Sequence, residues 1–241
     1  MRMPGGSQSI LVRCEDSLLY VMKMNGNPQG QNVLANEFLG AYLLHGLQVR
    51  TPRVAIVAAS PQETDGWHGF NFQHAHCCSK PKAGLHFASA FLARAGCGIA
   101  GWTADLRLDH VEESSEFLML ALFDLWANHR DKRQFIGVGN DGANLQETFA
   151  IDHGHLFGGP SWDMMSAVRV PHWWGQQFSR ANEDTISATI ANFQQTVPKL
   201  LREGISQIPD DWYKGDIGEL EERLLRRLDS LRSICANLRS M

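Results

Sequence analysis

Apolar and polar positions in the first sixty residues follow two different periods. Residues 9–13 and 18–24 are rich in β-formers, and Glu15 and Asp16 between them mark a turn, so the pattern predicts a hairpin with Lys23 near its end. A polar, glycine-bearing loop over 25–30 comes next. Leu34, Phe38, Ala41, Tyr42 and His45 then recur at helical spacing, with Gly46 where a helix stop belongs, and the predicted helix carries Glu37. Residues 54–58 form a short β-branched run after Pro52, and residues 60–84, polar and histidine-rich, read as a long loop. From Gly84 onward strand signals thin out. Helical patterns dominate: one through Phe117, Leu118, Leu120, Ala121, Leu125 and Trp126, one through Ile186, Ile190, Phe193 and Val197, and one through Leu220, Leu224, Leu228, Leu231 and Leu238. The composition shifts near residue 95, predicting a small β-rich region over 1–95 and a larger, mostly helical one over 96–241, with no internal repeat.

Composition narrows the function classes. With 241 residues and 44% hydrophobic content the chain can bury a sizeable core, and a net charge of −4 with scattered Lys and Arg offers no footprint for nucleic acid or an anionic membrane. No run of about eighteen apolar residues is present, and the opening MRMPGGSQS lacks the apolar core of a signal peptide, so a cytoplasmic protein is expected. Cys14, Cys77, Cys78, Cys97 and Cys235 form an odd, unpatterned set, expected as reduced thiols. His68, His74, His76, Cys77, Cys78 and His86 are too compressed for a structural zinc site and read instead as exposed histidines of a mobile loop. Asp105, Asp109, Glu112 and Glu113 precede a helix whose dipole they complement, and Trp173 and Trp174 read as packing residues.

Four segments carry candidate chemistry. Gly5, Gly6, Ser7 and Gln8 precede the first strand, where a glycine turn is either a plain turn or a place for backbone N–H groups to approach an anion. Alternation puts Lys23 on the face shared with Val21 and Leu19. An ammonium there either snorkels to water or needs a carboxylate, for which Glu37 is the natural partner. Residues 150–159 deliver Asp152 from an apolar strand into a glycine-flexible loop, suiting either a metal ligand or a turn-capping aspartate. Asn128, Asp131 and Gln134 lie in a polar cluster after the helix ending near Trp126. Asp131 can orient an attacking hydroxyl while Asn128 and Gln134 offer carbonyl oxygens to metal, or else Arg130, Lys132 and Arg133 there simply complement the helix dipole. These are the residue types that phosphoryl transfer from ATP requires: amides over phosphates, a fixed lysine, metal ligands and a carboxylate for the nucleophile.

In that order, Gly5-Gly6-Ser7-Gln8, Tyr20-Val21-Met22-Lys23, Asn36-Glu37, residues 128–135, Ile151-Asp152-His153-Gly154 and Ile208-Pro209-Asp210-Asp211-Trp212-Tyr213 resemble the bacterial HipA-like kinases, and more distantly the phosphatidylinositol kinases and protein kinases. The resemblance implies an α+β, two-lobed protein-kinase-like fold. It also implies an ATP-dependent phosphotransferase with Mg²⁺, acting on an unidentified protein or small-molecule hydroxyl. Gly5, Gly6, Ser7, Gln8 and Lys23 would bind nucleotide, Glu37 would pair with Lys23, Asp131 would be the catalytic-loop aspartate and Asp152 would hold metal. The family places an aspartate two residues after the helix-end asparagine and an asparagine five residues beyond it. Here Arg130 takes the first position, Asp131 follows one residue late and Ile136 stands five beyond, leaving Gln134 as the nearest amide. A pseudokinase that keeps the cleft as a nucleotide-binding regulatory module, and a partner-binding domain with no nucleotide site, remain alternatives.

Overall fold

A computed structural model describes residues 6–67, 70–73, 78–92, 97–103, 115–141, 144–165 and 172–239. Its first part is a four-stranded antiparallel sheet. Strand β1 (Ile10–Arg13) pairs with β2 (Leu19–Lys23), β2 with β6 (Gly84–Ala90), and β6 with β3 (Val54–Ala59). Helix α1 (Val33–Gly46) joins β2 to β3 and is buried along nearly its whole length. Its hydrophobicity is spread around the helix because α1 is covered from several sides at once.

Residues 60–84, read as loop, contain helix α2 (Pro61–Gly66) and the small hairpin β4 (Phe72–Gln73) and β5 (Cys78–Ser79). The α2 signal is a capping box: the Ser60 side chain accepts from Glu63 N, the Glu63 carboxylate accepts from Ser60 N, and Pro61 opens the helix. The thinning of strands after Gly84 is also corrected. Strand β6 lies inside the first sheet, and β7 (Gly98–Thr103), β8 (Gln134–Asp141) and β9 (Asn144–Ile151) form a second antiparallel sheet. Both faces of β6 are covered, with His86, Phe87 and Ala88 all buried, so it lacks the alternation that marks a half-exposed strand.

The helical part comprises α3 (Ser115–Trp126), α4 (His172–Arg180), α5 (Glu183–Ile205), a 3₁₀ turn (Asp210–Trp212) and α6 (Ile217–Arg239). Its core gathers Phe123, Trp126, Phe193, Leu224 and Leu231, with Trp173 and Trp174 as buried packing residues. Helix α1 belongs to this same core, so the helix bearing Glu37 is anchored on the helical part while its strands sit above it. A smaller cluster of Ile10, Met22, Met24, Phe72 and Ala88 covers the other side of the first sheet. Cys14, Cys78, Cys97 and Cys235 are free thiols. Among the described residues no helix is long and apolar enough to cross a membrane. The expected division near residue 95, Gly5, His68, His74, His76, Cys77 and the acidic stretch from Asp105 to Glu113 lie outside the described residues.

Candidate active site

Lys23 is the last residue of β2, opposite Phe87 of β6, with its side chain over α1. There its Nζ bridges two carboxylates, bonding Glu37 Oε1 and, at 2.7 Å, Asp152 Oδ1. Glu37 is sealed at 3% side-chain exposure, Lys23 is at 11% and Asp152 at 23%, so the cluster opens on the Asp152 side. Two carboxylates against one ammonium leave an excess negative charge there, which suits a cation. Burial drives Lys23 toward the neutral form, but the Glu37 and Asp152 charges outweigh it and raise its pKa. Burial raises the Glu37 carboxyl against the pull of Lys23, whereas at Asp152 the ammonium outweighs burial and holds the carboxyl well below the usual range.

The second sheet supplies the fourth member. Gln134, first residue of β8, is in register with Ile151, last of β9, and its Nε2 donates to Asp152 Oδ2 at 2.6 Å. Asp152 itself has φ +61°, a left-handed conformation that Asp tolerates better than most side chains. At Gly154 an added β-carbon would lie 2.9 Å from Val33 Cγ1 and 3.0 Å from Glu37 Oε1, so glycine is what lets α1 meet the loop after Asp152.

Beneath these residues is a closed network that sequence reasoning missed. Arg133, fully buried, donates through Nε to Asp124 Oδ2 at 3.0 Å, through Nη2 to Asp124 Oδ1, and through Nη1 to Ile151 O and His153 Nδ1 at 3.0 and 2.9 Å. Its fork therefore holds the backbone carbonyl before Asp152 and the imidazole of the residue after it. Because Nδ1 of His153 accepts from a guanidinium, the imidazole is neutral and its Nε2–H faces Thr51 Oγ1 at 3.2 Å. Burial and the Arg133 charge push His153 well below its ordinary pKa, and burial lowers that of His129. Burial alone would raise Asp124, but Arg133 overrides it and holds the carboxyl far down. The reading of Arg133 as a complement to a helix dipole is corrected, since its guanidinium is bonded inside the core. The available signal was Asp124, a lone carboxylate among the apolar positions of α3, which demands a buried cation.

Other predicted residues fall elsewhere. Asn128 is wholly buried at φ +50°, and among the described residues its side-chain amide atoms have no hydrogen-bond partner. Asp131 is exposed, with Oδ1 accepting from Lys132 N at 2.7 Å. Its turn is tied to the Asp152 loop by Arg130 N donating to His155 O at 3.0 Å. Ser7 is buried, Gly6 packs beside Gln29, and the Gln8 side-chain amide bonds both backbone groups of Gln73. His86, read with the exposed histidines, is a buried member of β6 whose Nδ1 accepts from Asn25 N at 3.0 Å.

No protein-family model matches the sequence, and no curated protein matches it. Among solved structures, the Golgi casein kinase is similar over 100% of this chain and 72% of its own, with a TM-score of 0.57 and 16% identity. The same kinase with Mn/ADP bound matches 99% of this chain and 72% of its own, at a TM-score of 0.54 and 15% identity. The Helicobacter pylori proinflammatory kinase CtkA matches 96% of this chain and 89% of its own, at a TM-score of 0.57 and 10% identity. The chain has a two-lobed, protein-kinase-like α+β fold. At these identities the likeness speaks for the fold, and the chemistry must be argued from the site.

Proposed function

We propose that the chain is an ATP-dependent phosphotransferase of the HipA-like kind, passing the γ-phosphoryl group of ATP to a protein or small-molecule hydroxyl. The observation that carries this reading is the Lys23 ammonium held between Glu37 of α1 and Asp152 at the end of β9, with Gln134 on the second Asp152 oxygen. Four separate elements converge on one partly open point, which packing alone does not require. Lys23, fixed by Glu37, is placed to meet nucleotide phosphates. Asp152, with the carbonyl oxygen of Gln134 once its amide turns, fits Mg²⁺, which is commonly held by one or two carboxylates plus substrate phosphates. When bound, the ion would neutralise charge on the transferring group. Asp131, exposed on the turn tied to the Asp152 loop, is the group to orient an acceptor hydroxyl, and the backbone around Gly6 lies nearest to the role of a phosphate loop. The same reading divides the chain into a nucleotide-binding lobe over 1–95 and a helical lobe over 96–241.

A pseudokinase reading draws on Asp131, which bonds only its own neighbour's backbone in the contacts above, and on Ile136, which is locked in β8 opposite Phe149 where the family carries an amide. Calorimetry with ATP and Mg²⁺ on the wild type and on Asp152→Ala, followed by assay of ADP release, separates the two. The proposed function expects metal-dependent binding and ADP formation by the wild type, both lost in the variant. Binding without turnover would favour the pseudokinase, and no binding would overturn the nucleotide site itself.

A further inference from the structure

Glu37 stands between two residues that make long-range contacts of their own. Asn36 is fully buried, and its Nδ2 faces three carbonyl oxygens of the loop after Asp152: Gly154 at 2.9 Å, Leu156 at 3.0 Å and Gly159 at 3.3 Å. Trp162 Nε1, from the end of the same loop, donates to Asn36 Oδ1 at 2.7 Å. That bond fixes the orientation of the amide: its oxygen is taken by the indole, so its two protons must point at the carbonyls, the longest contact being shared. On the other side of Glu37, Phe38 packs edge-on against Trp212, with ring centroids 6.2 Å apart. Trp212 in turn donates through Nε1 to Leu85 O of β6 at 2.9 Å. The two tryptophans are linked through Tyr213, which stacks on Trp162 at 5.8 Å, and Lys214 N donates to Asn32 Oδ1 at the start of α1.

The loop itself is tightly wound. Asp152, Phe157, Gly158, Gly159 and Trp162 all have positive φ, and Phe157 N and Gly158 N close on Ala127 O and Asn128 O beyond the end of α3. At Gly40, one turn beyond Asn36, a β-carbon would lie 2.8 Å from His153 Cβ, so helix and loop are in close contact along their length. Glu37, the Lys23 partner, and Asp152 thus sit on two elements joined by one buried amide and two indoles.

We infer that Asn36 is a positioning residue that locks the Glu37 helix and the Asp152 loop into one unit, so that the Lys23, Glu37 and Asp152 cluster is assembled before nucleotide arrives and needs no ordering event to form. The inference rests on the proposed nucleotide site for its consequence but not for its structural content. An isosteric carboxylate at position 36 keeps the shape and turns the donor face into an acceptor opposed to three carbonyl oxygens, which favours release of the loop. If the competent arrangement then becomes a minor population, apparent nucleotide affinity falls by that fraction while the rate at saturation is kept, because bound nucleotide restores the arrangement.

The test compares the full chain with Asn36→Asp and with Trp162→Phe, which removes only the indole N–H. Amide hydrogen exchange without nucleotide reads the lock directly. Exchange over residues 154–164 is expected to rise about tenfold or more in Asn36→Asp and less in Trp162→Phe, with α5 and α6 unchanged. In steady-state assays with Mg²⁺, the KM for ATP is expected to rise about tenfold with kcat within about twofold of wild type. Unchanged exchange in both variants, or a fall in kcat at constant KM as from a lost fraction of folded protein, would overturn the inference. Should Asn36→Asp not fold, Trp162→Phe decides by the same exchange measurement. If the wild type hydrolyses no ATP, the exchange arm still tests the lock, while the proposed function fails separately.

Discussion

Two charge clusters meet at the end of β9, one that includes Asp152 and one beneath it around Arg133, and they are built differently. Around Arg133 the charges balance: one guanidinium meets one carboxylate, Asp124, both wholly buried, with His153 neutral and the remaining donor spent on a backbone carbonyl. Around Lys23 they do not: one ammonium faces two carboxylates, one of them nearly a quarter exposed. A balanced, sealed set satisfies itself and serves the fold. An unbalanced set with one open side asks for a further cation, which a fold has no reason to build for stability alone.

Arg133→Met leaves Asp124 charged and unpaired in the core and is expected to cost about 3–5 kcal/mol of stability. In urea unfolding the double variant Arg133→Met with Asp124→Leu should recover part of that loss. A single variant no less stable than the double would remove the basis for calling this cluster structural.

His86 is a buried group to which no counter-ion is bonded among the described residues. Burial lowers its pKa from 6.5 to about 4, with Asp211 opposing weakly. The folded state therefore binds fewer protons than the unfolded state between those values. Stability present above pH 6.5 is lost as pH falls toward about 4, by up to about 3 kcal/mol. His86→Asn keeps an acceptor for Asn25 N and should flatten that part of the curve in unfolding measured from pH 7.5 to 4.5. An unchanged slope would place the acid sensitivity in other groups.

How much of this was legible in the sequence differs between the clusters as well. Lys23, Gln134 and Asp152 sit at strand ends and Glu37 lies within the apolar run of α1, where a polar residue interrupting the pattern is conspicuous. The hairpin and α1 around Lys23 and Glu37 were readable from periods of two and 3.6. The second sheet was hidden by its glycines, Gly98 and Gly101 in β7 and Gly137 and Gly139 in β8, which dilute any strand pattern. Arg133 looked like one of three basic residues after a helix, because nothing local tells a buried guanidinium from exposed neighbours. Its partner Asp124 lies nine positions away on another element, and such pairings are set by tertiary packing. Asn36 was quoted only as Glu37's neighbour, since the three carbonyls it serves lie about 120 residues downstream.

If charge in the open cluster is kept for a ligand, thermal melting of the wild type and of Asp152→Asn, each with and without Mg²⁺ and ATP, will show it. Without ligand the variant should melt within a few degrees of the wild type, because Asn suits the left-handed backbone and one excess charge is removed. With nucleotide at about a hundred times its Kd, the wild type should gain about 2.7 kcal/mol and the variant little. A variant that melts far lower without ligand, or gains as much from Mg²⁺ and ATP as the wild type, would mean that the Asp152 charge serves the fold and not a ligand.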